Sequence, residues 1–190
     1  MPLYTTARLT VRRLTEADAP FALDLLTEPA WIRYVGDRGV RTVADARHYL
    51  HTGPMASYAA YGHGLYRVAL TATDEPIGIC GLLRRDGLEH ADLGYAFLEA
   101  YHGHGYATEA ARATLEHARL DLGIDRVLAI TTEANVASQR VLEKIGMHRA
   151  GTLLLAGDAE ASLLYSTRPA GSPPDGVRPP SSATGRSLED

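Results

Sequence analysis

Cysteine occurs once in the 190 residues, as Cys80, so no disulfide can close within the chain and no cysteine cage can be assembled for zinc. Lysine also occurs once, as Lys144, which leaves arginine to supply every other side chain among the 19 basic residues. No apolar run approaches the ~20 residues that span a bilayer. The opening Met1-Pro2-Leu3-Tyr4-Thr5-Thr6 has neither a basic nor an apolar leader segment, so a cytoplasmic protein without membrane association is expected. Positive charge is in deficit, with 19 basic against 23 acidic residues and a formal charge of -4. That balance argues against general nucleic-acid binding, which needs basic surface to neutralise phosphates. An anionic ligand would have to be held by local geometry.

What is present fits a globular protein: 45% hydrophobic and 22% charged residues in a length that suits one domain. Composition shifts after Arg168. From Pro169 to Asp190 the chain is rich in Pro, Gly and Ser and has no aromatic residue, too little apolar surface to offset chain ordering. The expected organisation is one folded domain over 1–168 and a flexible, solvated tail over 169–190.

Within the domain, Arg8-Leu9-Thr10-Val11-Arg12 alternates as a strand. Thr15-Glu16-Ala17-Asp18 reads as a cap for a helix over about 18–27. A second short helix is expected over 42–51, after a loop carrying Trp31, Tyr34, Gly36 and Gly39. Strands over about 64–72 and 77–84 flank Thr73-Asp74-Glu75-Pro76, an antiparallel hairpin, and another follows over about 90–98. Ala107, Ala110, Ala111, Thr114, Leu115, Ala118 and Leu122 recur at helical spacing before Gly123, giving a helix of about 18 residues. A strand over 126–130 follows, then a helix opened by Asn135 and ended by Gly146. Two last strands, over about 147–155 and 161–167, join across Gly157-Asp158. The strand, helix and strand around Gly103 predict a parallel pair with a right-handed crossover, and hence a mixed sheet.

In such a unit the loops leaving both strands emerge at one sheet edge, where ligands of open α/β sheets collect. Tyr101-His102-Gly103-His104-Gly105-Tyr106-Ala107 is the first of these loops, and the second ends in Asn135. Glycines let backbone approach a ligand, and the free N–H groups of a helix start favour a pyrophosphate.

His102-Gly103-His104-Gly105-Tyr106-Ala107, followed by Thr108-Glu109-Ala110, resembles the acetyl-CoA loop of the GNAT superfamily of N-acetyltransferases, R/Q-x-x-G-x-G/A, with His102 at the R/Q position. Asn135-Val136-Ala137-Ser138, with Leu142-Glu143-Lys144-Ile145-Gly146-Met147 downstream, is similar to the family's second signature. Thr6-Ala7-Arg8-Leu9, Arg12-Arg13-Leu14 and Asp18 resemble the branch containing the ribosomal-protein-alanine acetyltransferases. The similarity runs from about residue 6 to 167, nearly the whole body.

The resemblance implies a single α/β (α+β) domain with a mostly antiparallel sheet of about seven strands around the central parallel pair, and about four helices. It implies direct attack of a primary amine, a protein N-terminus or a small amine, on the thioester of acetyl-CoA as co-substrate, without a metal. A monomer or homodimer fits it equally. Phe97 and Leu98 mark the strand end whose backbone N–H would polarise the carbonyl oxygen. His102, Gly103, His104, Gly105, Tyr106, Ala107 and Thr108 would bind the cofactor, and Asn135 would touch the pantetheine arm or the acceptor. Asp92 is the candidate base, because Ala91-Asp92-Leu93-Gly94-Tyr95 resembles the family strand in which an acid precedes Gly-Tyr. Many members carry a tyrosine seven residues after the Asn; here that residue is Leu142. Ser138 is then the candidate acid or thiolate-stabilising donor, its other role being an N3 residue in the first helical turn. Trp31, Tyr34, Tyr58, Tyr61 and Tyr66 are either acceptor contacts or core, and the net negative charge leans toward a cationic acceptor.

Several features read as structural. His102 and His104 lack a third ligand for a metal, and Cys80 fits a small core position better than a nucleophile. Two other functions suit the same motifs: a non-catalytic acyl-CoA sensor, and an acyltransferase using a different acyl-CoA.

Overall fold

The computed structural model describes residues 1–155 and 160–169. The turn expected at Gly157-Asp158 and residues 170–190 of the expected tail lie outside the described residues.

Tyr4–Thr5 (β1) and Leu9–Arg13 (β2) open the chain as an antiparallel pair, followed by helices Ala19–Thr27 (α1), Pro29–Tyr34 (α2), Val43–Leu50 (α3) and Ala56–Tyr61 (α4). Three strands come next, Leu65–Leu70 (β3), Pro76–Leu83 (β4) and Asp92–Phe97 (β5). The chain then forms Tyr106–Leu120 (α5), Leu128–Thr131 (β6), Val136–Lys144 (α6), His148–Leu153 (β7) and Ser162–Ser166 (β8). The 8 strands make one sheet in the order β1-β2-β3-β4-β5-β6-β8-β7. Every neighbouring pair is antiparallel except β5 and β6, which are parallel as expected.

Three elements were not expected from the sequence. β1 is two residues long, too short to show alternation, and exists because β2 offers it an edge. α2 replaces part of the expected 28–41 loop: Pro29 suits a first helical position, and burial of Trp31 holds the short helix down. α4 continues α3 through a π-type turn over His51–Met55 that absorbs Pro54, a residue that reads as a helix breaker from sequence.

The sheet is covered on both faces. α5 and α6 bring Ala110, Ala111, Ala118 and Leu142 against Val68, Cys80, Leu93 and Phe97. The amino-terminal helices bring Leu25, Trp31 and Ala46 against Leu65 and Ile79. Cys80 is fully buried, and burial pushes its thiol up to about 12, which leaves it unreactive. The β3–β4 turn is tied by Arg67, 4% exposed, which donates to the Asp74 carboxylate at 2.7 Å and to the Asp74 carbonyl. Asp18, 3.5 Å from Arg67, also accepts two bonds from Arg12 at 2.8 and 2.7 Å. This chain of charges joins the start of α1 to the sheet by forked, charge-assisted bonds.

One detail of the sheet creates the site. The parallel pair β5/β6 is registered at a single position, Asp92 opposite Leu128, with Leu128 N–H donating to Ala91 O at 2.9 Å. Beyond it the two strands share no further rung, so their carboxyl-terminal halves part.

Candidate active site

A cavity of about 590 Å³ occupies that parting, bounded by Tyr95, Ala96 and Phe97 on one side and by Asn135, Ala137, Ser138, Arg140 and Val141 on the other. A second cavity of about 740 Å³ extends under α2 and the ends of β4, β5 and β6. Trp31, Tyr34, Val35, Tyr95, Asn135 and Ser138 border both. Two substrates entering from the two cavities would therefore meet beside the Tyr95 and Ser138 side chains.

The glycine loop forms one wall of the smaller cavity. Gly103 and Gly105 take φ 77 and 80, left-handed conformations that glycine adopts without penalty. Among the described residues no acceptor is found for the backbone N–H groups of Gly103, His104, Gly105, Tyr106, Ala107 or Thr108. The helical ladder starts one residue later, with Glu109 N–H on Gly105 O at 3.1 Å. A row of unbonded N–H groups running into a 15-residue helix is a ready site for a pyrophosphate. The lining of the smaller cavity adds Arg140 and Lys144, one turn apart on α6. Sequence reading passed over both, although their spacing of four marks one helical face. Thus an acidic chain presents a locally basic cavity.

The loop is held from outside by the amino-terminal strand region. Arg8 donates to the His104 carbonyl at 3.0 Å, lies over the Tyr106 ring at 4.5 Å and pairs with Glu109 at 2.6 Å. Glu109 also accepts from the Thr6 hydroxyl at 2.6 Å and the Arg8 N–H at 3.0 Å. Burial acts to raise the Glu109 pKa, but the Thr6 and Arg8 bonds outweigh it and hold the carboxylate below its ordinary range. Removing the clamp with Arg8→Ala is expected to raise KM for acetyl-CoA about tenfold, the scale of one charge-assisted hydrogen bond, with kcat little changed. Arg8→Lys should not restore it, since an ammonium lacks the fork. Steady-state kinetics at varied acetyl-CoA checks both.

At the strand end, register separates the two residues marked from sequence. Leu98 N–H donates to Ile77 O at 3.0 Å and is committed to the sheet, so Leu98 cannot polarise a thioester; it borders neither cavity. In an antiparallel ladder successive residues point their N–H to opposite sides, so Phe97 turns its N–H away from β4 into the parting. The Phe97 carbonyl, on the same side, is bonded by His102 Nε2 at 2.8 Å. His104 borders neither cavity; its ring bonds the His102 carbonyl at 2.8 Å and stacks on Tyr106. Among the described residues no group of three or more His, Cys, Asp or Glu side chains is placed to hold a metal.

Asn135 caps α6, its Oδ1 accepting from Ser138 N–H at 3.1 Å. The capping is thus done by Asn135, and the Ser138 hydroxyl is free for another partner, the Tyr95 hydroxyl at 2.9 Å. Tyr95 also lies 3.2 Å from the Ser138 carbonyl. Burial, only partly opposed by the Ser138 bond, raises the Tyr95 pKa, so its phenol stays a neutral donor. Sequence reading did not single out Tyr95. Leu142, where the family resemblance leads one to expect a tyrosine, is buried at 1%, and a hydroxyl reaches Ser138 from β5 instead. The one available signal was parity: Tyr95 lies two residues before Phe97, on the same face of the strand.

Asp92 needs a correction. It is the first residue of β5, 0% exposed, bound to Arg85 Nε at 2.8 Å and bordering neither cavity. Strand parity puts it on the face opposite Tyr95, so the structure does not bring Asp92 and Ser138 together. Burial raises the Asp92 pKa, with Arg85 opposing. A carboxyl whose folded value lies above its unfolded one favours the fold at low pH. That contribution is lost as pH rises from the ordinary carboxylate range through the raised value. Asp92→Asn should therefore flatten the fall of Tm across that window and leave the pH profile of kcat/KM unmoved, as thermal melts and rate profiles over pH 4–8 would show.

The aromatic residues divide. Trp31 and Tyr34 border both cavities. Tyr58 and Tyr66 are core, stacked at 5.6 Å, with the Tyr58 hydroxyl taking the Leu14 N–H at 3.0 Å. Tyr61 is 57% exposed and meets His63.

A parted parallel pair, a glycine loop before a long helix and a hydroxyl pair between two cavities describe an acyl-transfer cleft. The family model described as Acetyltransferase (GNAT) domain matches residues 8–148. The chain belongs to this family, and is an acyltransferase. It is 28% identical over 149 residues to the uncharacterized N-acetyltransferase YnaD of Bacillus subtilis (strain 168), spanning 77% of this chain and 83% of that protein. Among solved structures, the acetyltransferase from Agrobacterium tumefaciens str. C58 is similar with a TM-score of 0.74 and 29% identity, over 89% of this chain and 95% of that one. The ribosomal L7/L12 alpha-N-protein acetyltransferase RimL, solved in complex with coenzyme A, shares the fold with a TM-score of 0.75 at 18% identity, over 87% of this chain and 97% of that one.

Proposed function

We propose that the protein transfers an acetyl group from acetyl-CoA to a primary amine by direct attack on the thioester. The observation that carries the reading is the run of unbonded N–H groups from Gly103 to Thr108 beside the Tyr95–Ser138 hydroxyl pair. RimL, of the same fold, was solved with coenzyme A, which supports the choice of donor. Bound acetyl-CoA supplies an activated acetyl carbonyl and a sulfur leaving group. The N–H groups of the loop hold the pyrophosphate, with Arg140 and Lys144 adding charge. Phe97 N–H donates to the carbonyl oxygen, where negative charge develops as the amine adds. When Tyr95 donates to Ser138 Oγ, the serine proton is free for the departing sulfur. The amine sheds its own proton through water to Glu160, the one carboxylate among the described residues bordering the larger cavity.

The test is release of free thiol together with acetylated product when purified protein is mixed with acetyl-CoA and broad panels of amines and N-terminal peptides. Tight acetyl-CoA binding with no product across the panels would instead favour a sensor. Stronger thermal stabilisation by longer acyl-CoA species would favour a different acyl donor.

A further inference from the structure

The larger cavity, on the acceptor side, is lined by Arg33, Arg38 and Arg85, against a single described carboxylate, Glu160. Arg85 is paired with Asp92 at 2.8 Å, so its charge is partly answered. Among the described residues Arg33 and Arg38 have no carboxylate partner. Arg33 stands in the last turn of α2 with its guanidinium 5.1 Å over the Tyr34 ring. Arg38 is carried by the loop that follows, which Gly36 and Gly39 bend at φ 97 and 70. The acid of that loop is turned elsewhere. Asp37 is clasped by Arg41 at 2.9 and 2.5 Å and by the Gly39 N–H at 2.8 Å, and it does not border the cavity. The loop therefore hands a guanidinium to the cavity and withholds its carboxylate. Arg38 and Arg85 also act on one spot, since both charges work against the burial that raises the Tyr49 pKa, and Tyr49 lines the same cavity.

Resting on the acetyl-transfer reading above, we infer that the acceptor is an amine that also carries a carboxylate, held by Arg38 and Arg33 while the amine faces Tyr95, Ser138 and Glu160. Planar, forked guanidinium groups suit carboxylates. A cationic amine such as a polyamine would meet the two unpaired like charges of Arg33 and Arg38, with Arg85 already paired to Asp92. The leaning of the net charge of -4 toward a cationic acceptor is thus reversed by the local lining.

The experiment compares matched acceptors with the full chain at saturating acetyl-CoA: α-amino acids against their amides, peptides with Asp at the second and third positions against the same peptides with Asn, and a polyamine. The expected result is a kcat/KM about tenfold or more higher for the carboxylated member of a pair. The gap is expected mostly in KM, to narrow about tenfold in Arg38→Ala and to invert in Arg38→Glu. A gap confined to amino acids and amides identifies an α-carboxylate; one confined to Asp and Asn peptides identifies a side-chain carboxylate. Turnover of amides, Asn peptides or polyamine as fast as the acids overturns the inference while leaving acetyl transfer standing. If no amine turns over, thermal stabilisation by each matched pair in the presence of CoA is read instead. Equal stabilisation, or stabilisation insensitive to Arg38→Glu, overturns the inference separately from the transfer reading.

Discussion

Ser138→Ala is expected to lower kcat for acetyl transfer by about 10²- to 10⁴-fold, the range for loss of a positioned general acid, which is the role proposed for Ser138. KM for acetyl-CoA should stay nearly constant, because the proposed pyrophosphate site is the row of loop N–H groups and not the hydroxyl. Tyr95→Phe keeps the ring in place but removes the donor that orients Ser138 Oγ, and a fall of about tenfold follows from one lost buried hydrogen bond. The two hydroxyls lie 2.9 Å apart and act as a unit, so the double variant should fall little below Ser138→Ala alone. An acetyl thioester of a more acidic thiol should rescue Ser138→Ala, since its sulfur departs without a proton. Failure of that rescue, with an unchanged melting temperature, would move the role of Ser138 from acid to substrate positioning. Full activity in Ser138→Ala with loss in Tyr95→Phe would assign the acid to Tyr95.

Gly81→Ala carries the largest expected effect on stability. Gly81 sits inside β4, opposite Leu65 of β3 and Gly94 of β5. A Cβ there would lie 2.0 Å from the Gly64 carbonyl oxygen and 2.9 Å from Leu65 Cα. Both are backbone atoms of an adjoining segment, so no rotamer change relieves the clash and the strands must shift. Overpacking of this kind destabilises by about 3 kcal/mol, which at roughly 2–4 °C per kcal/mol for a chain of this size lowers Tm by about 6–12 °C. Scanning calorimetry of the variant checks it, and a Tm within about 2 °C of the parent would show that β3 and β4 yield more than their packing suggests.

The contrast between these two positions shows how unevenly the site could be read from sequence. The glycine loop was legible because its requirements are local: Gly103 and Gly105 hold positive φ, and the N–H groups stay unbonded because a helix has just begun. Asn135 was legible for the same reason, since an Asn before an apolar helical face caps its own helix. The partner of Ser138 was not legible, because Tyr95 lies 43 residues earlier and reaches it only after β5 and α6 pack side by side. Arg8 and Glu109, 101 residues apart, meet for an equally non-local reason.

Asp92 shows the other kind of failure. An acid ahead of Gly-Tyr looks like a base along the chain, yet one step of strand parity puts it on the face away from Tyr95. There Arg85 occupies it. Likewise Phe97 and Leu98 are neighbours in sequence, but the β4 ladder takes the Leu98 N–H and leaves that of Phe97 turned to the cleft.

By itself the sequence determined the family, the mixed sheet with its parallel pair, and the two turns that approach one sheet edge. These follow from glycine conformation, helix caps and periodicity, which act over a few residues. Only the tertiary structure decided which hydroxyls meet, which amide stays unbonded, and that the larger cavity of an acidic chain is lined by arginines. Those depend on strand register and on which side chains the packed helices turn inward, and neither is written in the spacing of residues along the chain.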